Sequence, residues 1–231
     1  MLEARRRITS LSNKTWVFAH NQTDGKGRRG RAWIDPIGNF ACTCVFFPKT
    51  TIDKFALSSF TAALSLYDSL DYYGESNAKI SIKWPNDILL NGKKVAGILL
   101  ETIAVGKNKV ALSIGFGVNL LSYPETSELE ESTFSPTSFL AETGITLDPI
   151  DLLKNLAINF SDYEGTLQEK GFPELRNLLI SRIHRLGDQI VVKTTKETFS
   201  GRFLDINLDG HLILKTGQTT RSIAAADVYF D

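Results

Sequence analysis

The chain of 231 residues is long enough for one large domain, or for one domain with a small appendage, and its apolar content of 42% is typical of a globular protein. Its 26 basic and 26 acidic residues give a formal net charge of zero, which excludes a global field that would attract nucleic acid or a membrane. Neither a signal-peptide-like start nor an apolar run of about 18 residues is present, so we expect a soluble, cytoplasmic protein with no membrane partner.

The first part of the chain predicts the end of a helix, a short strand and then a basic glycine loop. Leu2–Ser10 has helical character, and Trp16–Ala19 reads as the strand. The segment Gln22–Trp33 matches G-x-G-x-x-G, but no helix is predicted directly after its glycines, which excludes a Rossmann dinucleotide site. Four cations in six residues favour a small phosphorylated or carboxylate ligand. The alternative is a flexible, solvated basic loop, with or without contact to nucleic acid.

The following elements are predicted to build the core. Phe40–Phe47 is an apolar strand, Thr51–Tyr73 is a helix with one buried face, and Ile80–Trp84 is the next strand. Cys42 and Cys44 lie two residues apart on the first of these strands. That spacing is too short for ordinary disulfide geometry and poor for zinc, so we interpret both cysteines as buried apolar filler.

Lys83–Glu101 is predicted to be the centre of the chemistry. Its Asn91-Gly92 pair is a strong hairpin signal, because both positions of the turn require positive φ. The expected pairs are Leu90 with Lys93, Leu89 with Lys94, Ile88 with Val95 and Asp87 with Ala96.

This register places Asp87, Leu89, Lys94 and Ala96 on one face and Lys93 on the other. Asp87 and Lys94 are then diagonal neighbours, about 7–8 Å apart at the backbone, and can converge on one small ligand. Gly97 marks either a bulge or a place where a ligand approaches the backbone. The alternative for the whole segment is a surface hairpin with solvated lysines.

Another strand, Lys109–Phe116, runs into Gly115-Phe116-Gly117-Val118-Asn119, which can present backbone and amide groups to a planar base or form a plain turn. Tyr123–Thr133 is expected to be a mobile, chemically idle acidic loop. Ser138–Glu142 and Pro149–Lys170 are predicted helices.

From Gly187 onwards the composition predicts a small β-barrel that packs against the main domain. The expected strands are Gln189–Thr194, Thr198–Ile206, His211–Lys215, Thr219–Ile223 and Asp227–Phe230. We therefore expect a catalytic domain over residues 1–186 and a C-terminal domain over residues 187–231. The three histidines, His20, His184 and His211, show no paired spacing, so metal or triad chemistry has no support.

Taken together, these motifs resemble the biotin protein ligases. The family's GRGRxGRxW loop is matched by GKGRRGRAW, its KWPND segment by Lys83–Glu101, and its G-x-G-x-N strand end by Gly115–Asn119. The resemblance implies an α+β fold, in which helices cover the mixed β-sheet of a class II synthetase-like biotin/lipoate ligase domain, followed by an SH3-like β-barrel. It also implies the short form of the enzyme, without an N-terminal DNA-binding domain and without DNA as a partner.

The implied reaction joins biotin and MgATP into biotinyl-AMP and then transfers biotin to a lysine of a biotin carboxyl carrier protein or domain. The catalytic candidates are Lys94, Arg28 and Asp87. Candidates for biotin contacts are Gln22, Gly25, Lys26, Gly27, Arg28, Lys94 and Gly97. Candidates for ATP contacts are Arg28, Arg31, Trp33, Lys83, Asn86 and Asn119.

Magnesium is expected to arrive with ATP, and no dedicated metal site is predicted. The role of Asp87 stays open: it can orient Lys94, help to place magnesium, or accept the proton of the incoming amine. The alternatives for the whole chain are a lipoate protein ligase and a non-catalytic module that binds biotin or its carrier. The oligomeric state is either monomer or homodimer.

Two departures from the family pattern accompany the resemblance. Lys26 stands where the family usually has arginine, which keeps the charge but loses bidentate recognition. The family's Ser-Thr-Asn segment before the first helix is missing. We therefore expect the working enzyme to be longer than these residues and the sheet to have an open edge where that strand belongs.

Overall fold

In the computed structural model, which describes residues 1–11, 13–75, 78–107, 109–125 and 134–230, a six-stranded sheet carries the helices and a five-stranded sheet ends the chain. The first sheet has the order β1-β2-β6-β5-β4-β3. Its strands are β1 (Thr15–Ala19), β2 (Phe40–Phe46), β3 (Ile80–Lys83), β4 (Asp87–Leu90), β5 (Lys93–Val105) and β6 (Lys109–Val118). The named strand pairs are antiparallel, and parallel pairing enters through isolated bridges such as Ile82 with Ile183.

Helices cover both faces of this sheet. They are α1 (Leu2–Arg7), α2 (Ser58–Gly74), α3 (Phe139–Thr143), α4 (Pro149–Lys170) and α5 (Phe172–Arg182). Cys44 and Phe46 share the main core with α2 and α4, whereas Val45, which points the other way along the same strand, packs with Ala4 and Ile8 of α1. Alternation along β2 therefore supplies apolar side chains to two separate layers.

The cysteines are core residues, as predicted. Cys42 and Cys44 are unpaired and buried, and burial raises the pKa of the Cys42 thiol to about 12. Both thiols are therefore protonated near neutral pH and act as small apolar side chains.

The C-terminal sheet has the order β10-β9-β8-β7-β11. Its strands are β7 (Gln189–Lys193), β8 (Thr198–Ile206), β9 (Leu212–Thr216), β10 (Thr219–Ile223) and β11 (Asp227–Phe230). Each lies within a residue or two of its predicted position. A core of strand side chains that includes Ile190, Phe203 and Leu214 is fully buried.

The predicted helices are present with small shifts at their ends. The segment predicted from Thr51 begins as a 3-10 turn at Ile52, and α2 itself starts at Ser58. Helix α4 occupies its predicted range and is capped at its start by the Asp148 carboxylate, which accepts from Ile150 N–H. Most of the acidic loop expected over Tyr123–Thr133 lies outside the described residues.

Strand β5 is much longer than its neighbour β4. β4 pairs with β5 as far as Gly97, and Ile98 N–H donates to the Asn86 carbonyl. Within the described ranges, β5 from Leu99 to Val105 forms strand pairs with β6 and with no other segment. This part of the strand therefore has an open edge.

Candidate active site

A cavity of about 330 Å³ opens between the six-stranded sheet, the loop of residues 22–34 and strand β11. Twelve of the thirteen residues assigned to ligands or catalysis from the sequence line it. They are Gln22, Lys26, Gly27, Arg28, Arg31, Trp33, Lys83, Asn86, Asp87, Lys94, Gly97 and Asn119. Side chains from four separate stretches of sequence thus meet in one place, which we call the central cavity.

The hairpin has the predicted turn, but its register shifts beyond Lys94. Asn91 and Gly92 have φ of 51° and 78°, and Leu90 pairs with Lys93 and Leu89 with Lys94, as predicted. A bulge at Val95 then pairs Ile88 with Ala96 and Asp87 with Gly97. The predicted pairs of Ile88 with Val95 and of Asp87 with Ala96 were therefore wrong.

The bulge lies beside a second set of hydrogen-bond partners for β5. The backbone of Lys94 accepts from Thr137 N–H and donates to the Ser135 carbonyl, both at 2.9 Å, on the side away from β4. The extra residue at Val95 changes which side chains face the cavity, since it moves Ala96 off the Asp87 face and puts Gly97 there instead.

Lys94 and Asp87 form an ion pair within the central cavity. Lys94 Nζ lies 2.8 Å from Asp87 Oδ1, and Lys83 Nζ lies 3.5 Å from Asp87 Oδ2. Burial alone would raise the pKa of Asp87, but the cations of Lys94 and Lys83 outweigh it and lower the pKa to about 2. Asp87 is therefore a carboxylate near neutral pH and anchors two lysines.

Lys93, the next residue, points away from the cavity. Its Nζ lies 2.8 Å from Glu142 Oε1, and about half of its side chain is exposed. The two neighbouring lysines thus occupy different environments, as the hairpin predicted.

The glycine-rich loop closes on itself instead of opening a helix, as predicted. Gly27 N–H donates to the Arg31 carbonyl at 2.7 Å, and Trp33 N–H donates to the Gly25 carbonyl at 2.9 Å. Between these bonds lies a 3-10 turn in which Arg29 has a φ of 58°. The loop therefore lines the cavity with residues 26–28 and 31–34, on either side of this turn.

Gly25 is the sequence-predicted residue that does not line the cavity. A Cβ at this position would collide with the carbonyl oxygen of Trp33. The glycine is needed for the close approach of two backbone segments within the loop.

Arg28 bridges the loop to the rest of the site. Its Nη1 donates to Asn86 Oδ1 at 3.2 Å and to the carbonyl of Ala226 at 3.3 Å, while Asn86 Nδ2 donates to the carbonyl of Ile98. Burial lowers the pKa of the Arg28 guanidinium. Arg28 and Asn86 are thereby held against each other on one side of the cavity.

The indole of Trp33 packs against two glycines of the sheet. A Cβ on Gly117 would lie 2.5 Å from its indole ring, and one on Gly97 would lie 3.2 Å away. Lys94 Nζ is 5.8 Å from the centre of one Trp33 ring. Because Gly97 and Gly117 have no side chains, the indole can pack directly against the sheet.

Asn119 follows β6 and is almost fully buried. Its N–H donates to the Val95 carbonyl at 2.9 Å and its Nδ2 to the Thr137 carbonyl at 3.0 Å. Its Oδ1 is buried without a hydrogen-bond partner among the residues that the structure describes. This oxygen is an acceptor that a ligand donor could satisfy.

The sequence did not point to the contribution of the C-terminal sheet. Asp227 of β11 lines the cavity, and its carboxylate binds Arg29 at 2.6 Å and Arg31 at 3.0 Å. Tyr229 of the same strand also lines the cavity. No local pattern around Asp227 marks it, because its partners lie almost 200 residues earlier in the chain.

Metal ligands are sparse in the part of the chain that the structure describes. No group of three or more His, Cys, Asp or Glu side chains there could hold a metal ion. The carboxylates of Asp87 and Asp227 are each paired with two cations.

Among the residues that the structure describes, no helix is both long and apolar enough to cross a membrane.

Comparison with known proteins identifies the family of this arrangement. The model of the biotin/lipoate A/B protein ligase family matches residues 1–119, and the model of the biotin protein ligase C-terminal domain matches residues 186–231. The biotin--[acetyl-CoA-carboxylase] ligase of Paracoccus denitrificans is 42% identical over 99% of this chain and 95% of its own length. The chain belongs to the biotin protein ligases. This confirms the family that the sequence motifs resemble.

A second relative contains more sequence than this chain covers. The bifunctional ligase/repressor BirA of Bacillus subtilis is 29% identical over 93% of this chain, and the match spans 65% of its own length.

Solved structures agree on the fold. The biotin protein ligase from Aquifex aeolicus in complex with biotin and ATP superimposes with a TM-score of 0.83 at 24% identity, covering 99% of this chain and 95% of that one. The ligase from Leishmania major in complex with biotinyl-5-AMP gives a TM-score of 0.60 at 24% identity, covering 96% of this chain and 94% of that one. At these identities the likeness concerns the fold, and it confirms the expected α+β ligase domain with its C-terminal sheet.

Proposed function

We propose that this protein activates biotin with ATP to form biotinyl-AMP and then transfers biotin to a lysine of a biotin carboxyl carrier domain. The observation that carries the proposal is the convergence of Lys94, Lys83, Arg28 and Arg31 on one cavity whose wall includes the bare backbone of Gly97 and the indole of Trp33. Cations suit phosphate and carboxylate groups, and the apolar wall suits the rings of biotin and adenine.

The first step joins two anions that repel each other. An oxygen of the biotin carboxylate attacks the α-phosphorus of ATP, the phosphoanhydride bond to the β-phosphate breaks, and pyrophosphate leaves. A fixed cation between the reacting groups offsets the repulsion and stabilises the charge that develops on the phosphate. Lys94 is our candidate for this cation, because its ion pair with Asp87 holds it in place before the ligands arrive.

The geometry favours one of the three roles left open for Asp87. A general base works best when its pKa lies near the working pH. The pKa of Asp87 is lowered to about 2, so its carboxylate is a weak proton acceptor, and both of its oxygens already face lysines. We therefore assign Asp87 to orienting Lys94 and Lys83.

The other assignments divide the ligand contacts into a biotin half and a nucleotide half. Biotin is proposed to contact Gln22, Lys26, Gly27, Arg28, Lys94 and Gly97. ATP is proposed to contact Arg28, Arg31, Trp33, Lys83, Asn86 and Asn119. Gly25 is not proposed to contact a ligand, and its role is structural, within the loop.

Magnesium suits this site as an ion carried by the phosphates. Magnesium retains several waters and needs few protein carboxylates, so the ATP phosphates can carry it while Asp87 stays paired with Lys94 and Lys83. When bound, the ion would neutralise phosphate charge. The chain's own part is to hold Lys94 and Lys83 at fixed positions beside it.

The second step requires that the mixed anhydride stays in the cavity until the carrier arrives. The lysine amine of the carrier attacks the biotinyl carbonyl carbon, the bond to the phosphate oxygen breaks, AMP leaves, and the amine loses a proton. Arg28, held between Asn86 and Ala226, is our candidate for retaining the anhydride and keeping water away.

Two alternatives are less well supported. A lipoate protein ligase shares the family model over residues 1–119, but the match of residues 186–231 is to a biotin protein ligase domain. A non-catalytic module would have no use for Arg31 and Lys83 beside the ion pair of Lys94. We retain the expectation of a cytoplasmic location. We retain the expectations of a monomer or homodimer, of no DNA partner, and of a domain boundary near residue 186.

Transfer to a carrier tests the proposal. The protein is incubated with biotin, ATP, magnesium and a purified biotin carboxyl carrier domain, and the carrier mass is measured. The proposal predicts a gain of one biotinyl group that requires ATP and disappears when the acceptor lysine is replaced by arginine. A carrier that gains lipoate instead, or gains nothing, contradicts it.

A further inference from the structure

Asn39 is a buried polar residue that lies outside the cavity lining and that the proposed mechanism does not use. It lies directly before β2 and is 3% exposed. Its Oδ1 accepts from the backbone N–H groups of Leu120 and Leu121, both at 3.0 Å, and of Ser122 at 3.3 Å. Its Nδ2 donates to the Ser122 carbonyl at 2.9 Å. One side chain thus binds four backbone groups of residues 120–122.

A second contact joins the same two segments. Gly38 has a φ of 93°, and a Cβ at this position would collide with the side chain of Leu121. The turn before β2 and the turn after β6 are therefore packed against each other as well as hydrogen-bonded. The fit needs both a glycine and an amide that accepts and donates at once.

The turn held by Asn39 begins immediately after Asn119. The backbone of Asn119 is fixed on its other side by Val95, and its carbonyl accepts from Phe139 N–H at 2.8 Å. The buried Oδ1 of Asn119 has no hydrogen-bond partner within the described ranges. Its position depends on the course of the chain through residues 119–122.

We propose that Asn39 is a positioning residue for the nucleotide half of the site: by holding residues 120–122 it places Asn119 for ATP. The inference rests on the proposed function, in which Asn119 contacts ATP. Lys94 of the biotin half is held by other contacts: its side chain pairs with Asp87, and its backbone binds residues 135 and 137. Asn39 therefore acts on Lys94 only indirectly, through Asn119.

The test compares Michaelis constants in biotin-dependent ATP–pyrophosphate exchange. Asn39→Ala removes all four hydrogen bonds and should raise KM for ATP at least about tenfold while KM for biotin stays within about threefold. Asn39→Asp keeps the acceptor for three N–H groups but places a second oxygen opposite the Ser122 carbonyl, so it should recover only part of the affinity for ATP. Asn39→Ser, a smaller change that leaves a shorter acceptor, takes the place of Asn39→Ala if the latter does not fold.

Asp148→Ala is the matched control, since it also removes a side chain that caps backbone N–H groups, but at the start of α4. It should lower the melting temperature without changing the ratio of the two Michaelis constants. Equal rises in both constants for Asn39→Ala, or no rise in either, would overturn the inference while leaving the proposed function intact. A wild-type protein without biotin-dependent exchange would overturn both.

Discussion

Two adjacent lysines of the hairpin have opposite surroundings. Lys94 is bound to Asp87 inside the cavity, and Lys93 is bound to Glu142 at the surface. We predict that Lys94→Ala lowers the rate of adenylate formation at least about 100-fold, because loss of one preorganised charge stabiliser typically costs this much. Lys93→Ala should leave the rate within a few fold. Single-turnover formation of biotinyl-AMP measures both, and equal losses would show that the wrong lysine has been assigned.

The side of the hairpin on which each lysine lies was predictable, whereas the position of Gly97 was not. A two-residue Asn91-Gly92 turn determines the first two pairs beyond it, and these place Lys94 on the Asp87 face. The bulge at Val95 arises where residues 135–137 bind the backbone of Lys94. A contact between segments about 40 residues apart leaves no mark in the local pattern.

Strands β5 and β6 each place a glycine against the Trp33 indole, and replacing one of these glycines tests that packing. Gly117→Ala should displace the Trp33 indole, because the added Cβ would lie 2.5 Å from the ring. We expect a change in intrinsic tryptophan fluorescence and at least about tenfold weaker binding of ATP. Gly165→Ala in α4 is the control, since nothing lies within 4 Å of its added Cβ. Unchanged fluorescence and affinity in Gly117→Ala would argue against contact between Trp33 and the nucleotide.

The interface between α2 and α4 contains a buried carboxyl group. Glu164 is 1% exposed, and its oxygens accept from Thr61 Oγ1 and Gln168 Nε2, both at 3.2 Å. Burial raises the pKa of Glu164 above its ordinary value. The stability that this group contributes is present below its unfolded pKa, about 4.3, and is lost as pH rises through the higher folded pKa.

Glu164→Gln should remove this dependence, because the amide keeps an acceptor and carries no charge. We expect the variant to melt at a higher temperature than the wild type near pH 8 and at a similar or lower temperature near pH 4.5. Thermal melts across this range measure the difference. Parallel curves for the two proteins would show that Glu164 does not titrate between these limits.

In the molecule as a whole, the C-terminal sheet supports two parts of the active site. Asp227 binds Arg29 and Arg31 of the glycine loop, and the carbonyl of Gly210 accepts from Trp84 Nε1 at 3.0 Å. Trp84 precedes the Pro85-Asn86-Asp87 segment of the cavity. The two sheets therefore form one functional unit.

Asp227→Asn should loosen the glycine loop, because a neutral amide leaves two partly buried guanidinium groups without their counter-ion. We predict a fall of at least about tenfold in kcat/KM for ATP. Asp205→Asn is the control. Asp205 of β8 pairs with Arg176 of α5, which is another contact between the C-terminal sheet and the rest of the protein. Its kcat/KM should stay within about threefold, and similar losses in both variants would indicate a general effect of domain contact.

The strands of the C-terminal sheet were predictable to within a residue or two, because their alternation and turn residues are local. Its contribution to the site was not, since β11 meets the glycine loop only in the folded chain. The same limit applies to Asn39, whose partners lie about 80 residues away. Motifs identified twelve residues that line the cavity, and tertiary contacts supplied those that hold them in position.

Biotin-dependent exchange of pyrophosphate with ATP tests the central claim most directly, because it reports adenylate formation without a carrier. The unmodified chain is incubated with ATP, magnesium and labelled pyrophosphate, together with biotin, with lipoate or with neither. We predict that label enters ATP with biotin at a rate far above the other two mixtures, and that Lys94→Ala abolishes this signal. Exchange that depends on lipoate, or no exchange with biotin, would contradict the assignment of this cavity to biotin activation.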